Sequence, residues 1–94
     1  MSLRDEAMRG EHAADVLANP VYIDAYGQLE QEIINKWRES SDSAERERLH
    51  LMLKMLAKVR QVMQGVMTSG KVSAKELELQ QTRMERLGNA LRRR

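Results

Sequence analysis

The chain has 94 residues, of which 41% are apolar and 32% charged, so it is long enough for one small domain and too mixed in polarity for a disordered chain. The absence of cysteine excludes a disulfide framework, a cysteine-ligated zinc site and a thiol nucleophile. No run approaches the roughly 18 consecutive apolar residues of a membrane span, and the first residues lack the apolar segment of a signal peptide. We therefore expect a protein that neither enters a membrane nor is secreted.

The first predicted helix covers residues 1–18 of a single helical domain that spans 1–94. Ser2 can cap this helix, and the first turn carries two carboxylates, which interact favourably with the positive end of the helix dipole. Gly10 lowers the stability of a helix interior by roughly 1 kcal/mol relative to alanine. We expect the helix to be firm from about Glu11 and looser before it.

A second helix is predicted over residues 20–39. Asn19 is a favoured N-cap, and Pro20 suits the first helical position because its missing N–H would have no partner there. Helical spacing places five apolar residues on one face: Tyr22, Tyr26, Leu29, Ile33 and Trp37. We expect Trp37 to be a core anchor near the end of the helix, with its indole N–H bonded to a polar group.

A third helix is predicted over residues 43–69. Asp42 and Glu45 have the spacing of a capping box, with Ser43 as a rival cap, and Gly70 is a suitable residue to follow the helix end. The short loop before it predicts that the second and third helices are antiparallel neighbours. The fold class is therefore all-α: an antiparallel helical hairpin with additional N- and C-terminal helices.

The third helix carries the broadest apolar surface of the chain. Heptad spacing runs from Leu49 to Val66, and further apolar residues widen the stripe beyond the roughly 100° arc that one neighbouring helix covers. We predict that this surface forms both the core and an interface, and that the protein is a homo-oligomer or part of a larger shell. The predicted interface residues are Leu49, Leu51, Met52, Met55, Leu56, Val59, Val62, Met63 and Val66.

A fourth, basic helix is predicted over residues 73–92, starting at a capping box from Ser73 to Glu76. Its apolar stripe is thin, so we expect it to pack on the hairpin or on another chain. The chain is net −2 over residues 1–70 and net +4 over residues 71–94. The basic end predicts contact with nucleic acid or with an acidic neighbouring subunit. The candidate nucleic-acid-binding residues are Arg83, Arg86, Arg92, Arg93 and Arg94.

Residues 14–73, about two thirds of the chain, resemble the small helical proteins of tailed-bacteriophage and prophage genomes. The resemblance rests on Leu17-x-x-Pro20, on Trp37 near the end of a helix, on the start Asp42-x-x-Glu45-x-Glu47-Arg48, and on a long aliphatic helix followed by Gly70. It departs from the expected pattern at Tyr22 and Tyr26, where leucine or phenylalanine would be typical. The resemblance implies a part in the virion or its assembly, in the virion or the bacterial host cytoplasm, with other virion proteins as partners.

The titratable residues predict no catalytic, metal or cofactor site. His12 and Asp15 share one helix face, but a metal site needs three or four converging ligands, and nothing else in the sequence supplies them. No recognisable nucleophile accompanies His50, so the sequence does not indicate that it acts as a general base. No glycine-rich phosphate loop is present. We therefore expect a non-enzymatic structural or accessory protein. The alternatives are a nucleic-acid-binding protein and an adaptor whose methionine-rich surface accepts a partner helix.

Overall fold

The computed structural model describes residues 1–93 and is all-helical within that range. Helix α1 is Leu3–Ala18, α2 is Pro20–Glu39 and α3 is Ser43–Arg92. The all-α fold class predicted from the sequence is confirmed. No strand occurs in the part of the chain that the structure describes.

Each helix begins at a polar side chain that accepts a hydrogen bond from a backbone amide of the first turn. The Ser2 hydroxyl accepts from the amide of residue 5 at 3.1 Å. The Asn19 side chain accepts from the amides of residues 21 and 22 at 2.8 and 3.3 Å. Asp42, rather than its rival Ser43, caps α3 and accepts from the amide of residue 44 at 3.2 Å. These bonds satisfy amides that have no partner within their own helix.

The predicted break between a third helix ending at residue 69 and a fourth starting at residue 73 does not exist. α3 is one helix of 50 residues, and Gly70 does not adopt the positive φ of a glycine that ends a helix. Ser73, expected to be an N-cap, lies inside the helix and is buried. The local stop and start signals are overridden because both residues pack against α1, where a break would remove their contacts.

α1 and α2 follow one another along the length of α3. Their contacts occur in reverse order: Glu6 of α1 bonds Ser73, Tyr22 of α2 reaches Met63 at 3.9 Å, and the end of α2 lies against the start of α3. α1 therefore lies along α3. The result is a rod of 80 × 24 × 16 Å.

The core of this rod is thin. Ile33, 4% exposed, and Leu49, 6% exposed, are the large apolar residues buried within the described range. Trp37 is not the predicted core anchor, because its ring is partly exposed and lies beneath the guanidinium of Arg46, 4.0 Å from the ring centroid. Helices arranged in a single layer can enclose little volume, so much of the apolar surface stays exposed.

Candidate assembly interface

A shallow apolar surface lies between α2 and α3, and we call it the α2/α3 groove. α3 supplies one wall through residues that recur every three or four positions and so share one helix face. The groove is lined by Leu29, Ile33, Leu51, Met52, Met55, Leu56 and Val59. Met55 is 66% exposed, and Leu51, Met52 and Val59 are each at least half exposed. All of the lining residues are apolar, which suits contact with another apolar helix.

The nine predicted interface residues divide into three groups. Leu49 is buried and belongs to the core, so it is not available to a partner. Leu56, Met63 and Val66 are half-buried beneath α1 and α2. The remaining five are exposed on α3: Leu51, Met52, Met55, Val59 and Val62. The structure brings four of these five into the α2/α3 groove, while Val62 lines a neighbouring depression under the start of α1.

α1 is held to α3 by a backbone-to-backbone contact that the sequence reasoning missed. A Cβ atom built on Gly70 would lie 2.5 Å from the Cα of Gly10 and 3.0 Å from the carbonyl oxygen of Glu6. Only glycine at both positions allows this approach. The available signal is the pair Gly10 and Gly70, of which local rules interpret the first as a weakness within a helix and the second as a residue that follows a helix end.

A partly buried hydrogen bond lies one helical turn from the glycine contact. The Ser73 hydroxyl, in a residue that is 4% exposed, donates to the Glu6 carboxylate at 2.5 Å. A hydrogen bond to a charged group stabilises a fold by roughly 1.5–3 kcal/mol. The pair therefore fixes where α1 lies along α3.

Arg46 holds the other end of the rod. Its guanidinium donates to the carbonyl oxygens of Trp37 at 2.6 Å and Ser40 at 2.9 Å, which are acceptors left free at the end of α2. The same guanidinium stacks on the Trp37 ring. Arg60 lies over the Tyr26 ring at 5.2 Å, nearer the middle of the rod. These contacts hold α2 beside the groove wall on α3.

The predicted nucleic-acid-binding residues lie at the far end of α3, on residues 78–93, which we call the distal arm. Arg83, Arg86, Arg92 and Arg93 are exposed there, and Arg94 lies outside the described residues. The arm starts about 28 Å from the last groove residue on α3, at 1.5 Å per helical residue. The two candidate surfaces are therefore separate.

The titratable side chains of residues 1–93 form no cluster that could hold a metal ion. No three of the His, Cys, Asp or Glu side chains in that range are close enough together to hold a metal ion. His12 lies on α1 and His50 on α3. Among the described helices, none is both long and apolar enough to cross a membrane.

Comparison of the chain with models of protein families, with characterised proteins and with solved structures finds no match. The exposed α2/α3 groove and the distal arm are the features from which a function can be argued.

Proposed function

We propose that this protein is a non-enzymatic structural or accessory protein, of the kind found in tailed phages, that acts by helix–helix assembly with itself or with other virion proteins. The antiparallel hairpin of α2 with the first half of α3 is the unit that associates. The α2/α3 groove is its contact surface. The observation that carries the proposal is the apolar surface left exposed by a core with two large buried side chains.

The accessible surface is larger than one small protein normally exposes. A compact monomer of 10.9 kDa exposes about 5,600 Å². This chain exposes 7700 Å², an excess of roughly 2,100 Å² by that scaling. Permanent dimers bury roughly 1,000–2,500 Å² on each partner. The excess on one chain therefore matches what an obligate interface removes from solvent.

The groove provides the energy for such an association. Burying a methionine, leucine or valine side chain that would otherwise be exposed contributes roughly 1.5–3 kcal/mol. Four groove residues are each at least half exposed in a single chain: Leu51, Met52, Met55 and Val59. Burying the exposed part of each side chain would therefore still contribute part of that free energy. Four such residues on each of two chains provide roughly 6–12 kcal/mol in total, which is of the same order as the entropy cost of association, about 4–15 kcal/mol.

The phage setting is supported by the resemblance of residues 14–73 to small phage proteins. Two of the positions that carry it have local roles in this fold. Pro20 begins α2 after the Asn19 cap, and Asp42 caps α3. These positions determine how α2 lies beside α3, and so they shape the groove through which assembly is proposed.

A charge placed in the groove tests the proposal. We expect Met55→Lys to lower the mass measured by light scattering at micromolar concentration, because a buried lysine without a partner opposes association. Met8→Lys is the matched control, since Met8 is half exposed on α1 and does not line the groove. Equal masses for the two variants, both the same as the parent chain, would contradict assembly through this surface.

The alternative function is nucleic-acid binding, and the exposed arginines of the distal arm favour it. Arginine contacts with phosphate give an affinity that falls as salt rises. We expect a chain that binds in this way to elute from a DNA column at lower salt when residues 92–94 are removed. Met55→Lys should leave that elution unchanged, because the groove is distant from the arm. Unchanged elution after removal of the tail would contradict this alternative.

A further inference from the structure

The distal arm is the part of α3 that extends beyond the N-terminus of α1. The contact of Gly10 with Gly70, and the reverse order of the two helices, place Leu3 level with about residue 77 of α3. α3 continues to Arg92, about 22 Å further at 1.5 Å per residue. Helices in proteins are stabilised mainly by packing of their apolar face, so a partner helix that covers the arm would stabilise it.

The arm has an apolar stripe that α1 does not reach. Met84 is 70% exposed, Leu87 57% and Leu91 60%. Their spacings of three and four residues place them on one face of the helix, and Leu77 lies seven residues before Met84 on the same face. The stripe therefore continues the side of α3 on which α1 packs. A helix that covers it must lie in line with α1.

The length of the arm and the helix dipole indicate which helix this is and how it is directed. The uncovered stretch of α3, from about residue 77 to Arg92, is as long as the arm itself, so the arm of a second copy fills it. A second arm running antiparallel to the first places the negative end of its helix dipole near the positive end of α1. The region where α1 begins carries no net charge, because four carboxylates are balanced by Arg4, Arg9, Lys75 and the amino group of Met1: Asp5, Glu6, Glu76 and Glu78. The tip of the arm ends in Arg92 and Arg93.

We propose that the distal arms of two copies of this chain pair in opposite directions, with the arginine tip of each arm against the first turn of α1 in the other copy. The inference rests on the proposed self-assembly, but it uses a surface separate from the α2/α3 groove. Met84, Leu87 and Leu91 form the seam. The arginines of the tip give direction to the pairing, because parallel arms would place the two basic tips together.

Single-cysteine variants test the direction, because the parent chain has no cysteine that could interfere. We expect a short bis-maleimide to join Ser2→Cys of one chain to Arg93→Cys of another in a mixture of the two proteins. Arg93→Cys alone should give little cross-linked product. Cross-linking of Arg93→Cys to itself, or no product in the mixture, would overturn the proposal.

Two matched substitutions test the seam. Leu87→Glu should weaken self-association by at least about tenfold, since losing one buried leucine on each chain exceeds the 1.4 kcal/mol that corresponds to a factor of ten. Leu79→Glu is the control, because Leu79 is also exposed on the arm but lies outside the stripe of Met84, Leu87 and Leu91. Equal effects of the two variants would overturn the arm pairing. Circular dichroism checks that both variants remain helical.

The pattern of results separates this inference from the proposed function. If Met55→Lys lowers the mass while the cysteine mixture gives no product, the arm pairing fails and groove assembly stands. If the cysteine mixture cross-links while Met55→Lys has no effect, the arm pairing stands and groove assembly fails. If neither occurs and the arm binds DNA through its arginines, both self-association proposals fail.

Discussion

Replacing Gly70 by alanine tests the packing of α1 on α3 most sharply. The added methyl group would lie 2.5 Å from the Cα of Gly10 and 3.0 Å from the carbonyl oxygen of Glu6. Both are backbone atoms of one helix, so they cannot move aside as a flexible side chain can. α1 must therefore shift away from α3 as a unit, and the Ser73–Glu6 hydrogen bond shifts with it.

The magnitude follows from two opposing terms. Overpacking a close contact costs roughly 1–3 kcal/mol, whereas alanine is better than glycine in a helix interior by roughly 1 kcal/mol. We expect Gly70→Ala to lower the free energy of unfolding by up to about 2 kcal/mol. Gly65→Ala is the matched control, because Gly65 lies in the same helix and a Cβ there meets nothing within 4 Å. That variant should gain about 0.5–1 kcal/mol.

The assay is urea unfolding followed by far-ultraviolet circular dichroism at one fixed protein concentration, since association makes apparent stability concentration-dependent. The two alanine variants should change the midpoint in opposite directions. If Gly70→Ala stabilises the protein as much as Gly65→Ala, α1 does not touch α3 at this point, and the reasoning is refuted.

Three further substitutions test the other contacts of the rod by the same unfolding assay. Ser73→Ala should cost about 1.5–3 kcal/mol by leaving the carboxylate of α1 without its donor, whereas exposed Ser69→Ala should cost little, and equal losses would contradict this hydrogen bond. Arg46→Lys should cost about 1 kcal/mol, because lysine cannot both stack on the indole and bond two carbonyls, while exposed Arg48→Lys should be near neutral. Asn19→Ala should cost about 1 kcal/mol as the loss of a helix cap, and an unchanged midpoint would show that the cap contributes nothing.

Local sequence signals predicted the helix starts well. Ser2, Asn19 and Asp42 act within three residues of themselves, and each was predicted as a cap and caps a helix in the structure. Pro20 likewise predicted the start of α2. Signals of this kind can be recognised in the sequence because the donor and the acceptor are close neighbours in the chain.

The continuity of α3 could not be predicted in the same way. Gly70 and Ser73 have the local chemistry of a helix end and a helix start, and their partners Gly10 and Glu6 lie some sixty residues away in the sequence. Capping rules consider only neighbouring residues, so they do not detect a contact between residues that far apart in the sequence. It decides the outcome here because tertiary packing overrides local propensity.

The sequence indicates which positions of α3 are apolar and share a face, but not which of them are exposed. Heptad spacing identifies the apolar positions of α3, but it does not tell which of them α1 and α2 will cover. Leu49 and Met55 both belong to the predicted set, yet one is buried and the other is exposed. The difference depends on where α2 lies, and Arg46 and the Asp42 cap help to determine that position.

The mass of the protein in solution tests the central claim most directly. Sedimentation equilibrium of the full chain in buffer containing no nucleic acid should give a multiple of 10.9 kDa at micromolar concentration. The reason is that each chain exposes roughly 2,100 Å² more surface than a compact monomer of its mass, and an obligate interface buries an area of that size. A single species of 10.9 kDa over the whole concentration range would contradict self-assembly.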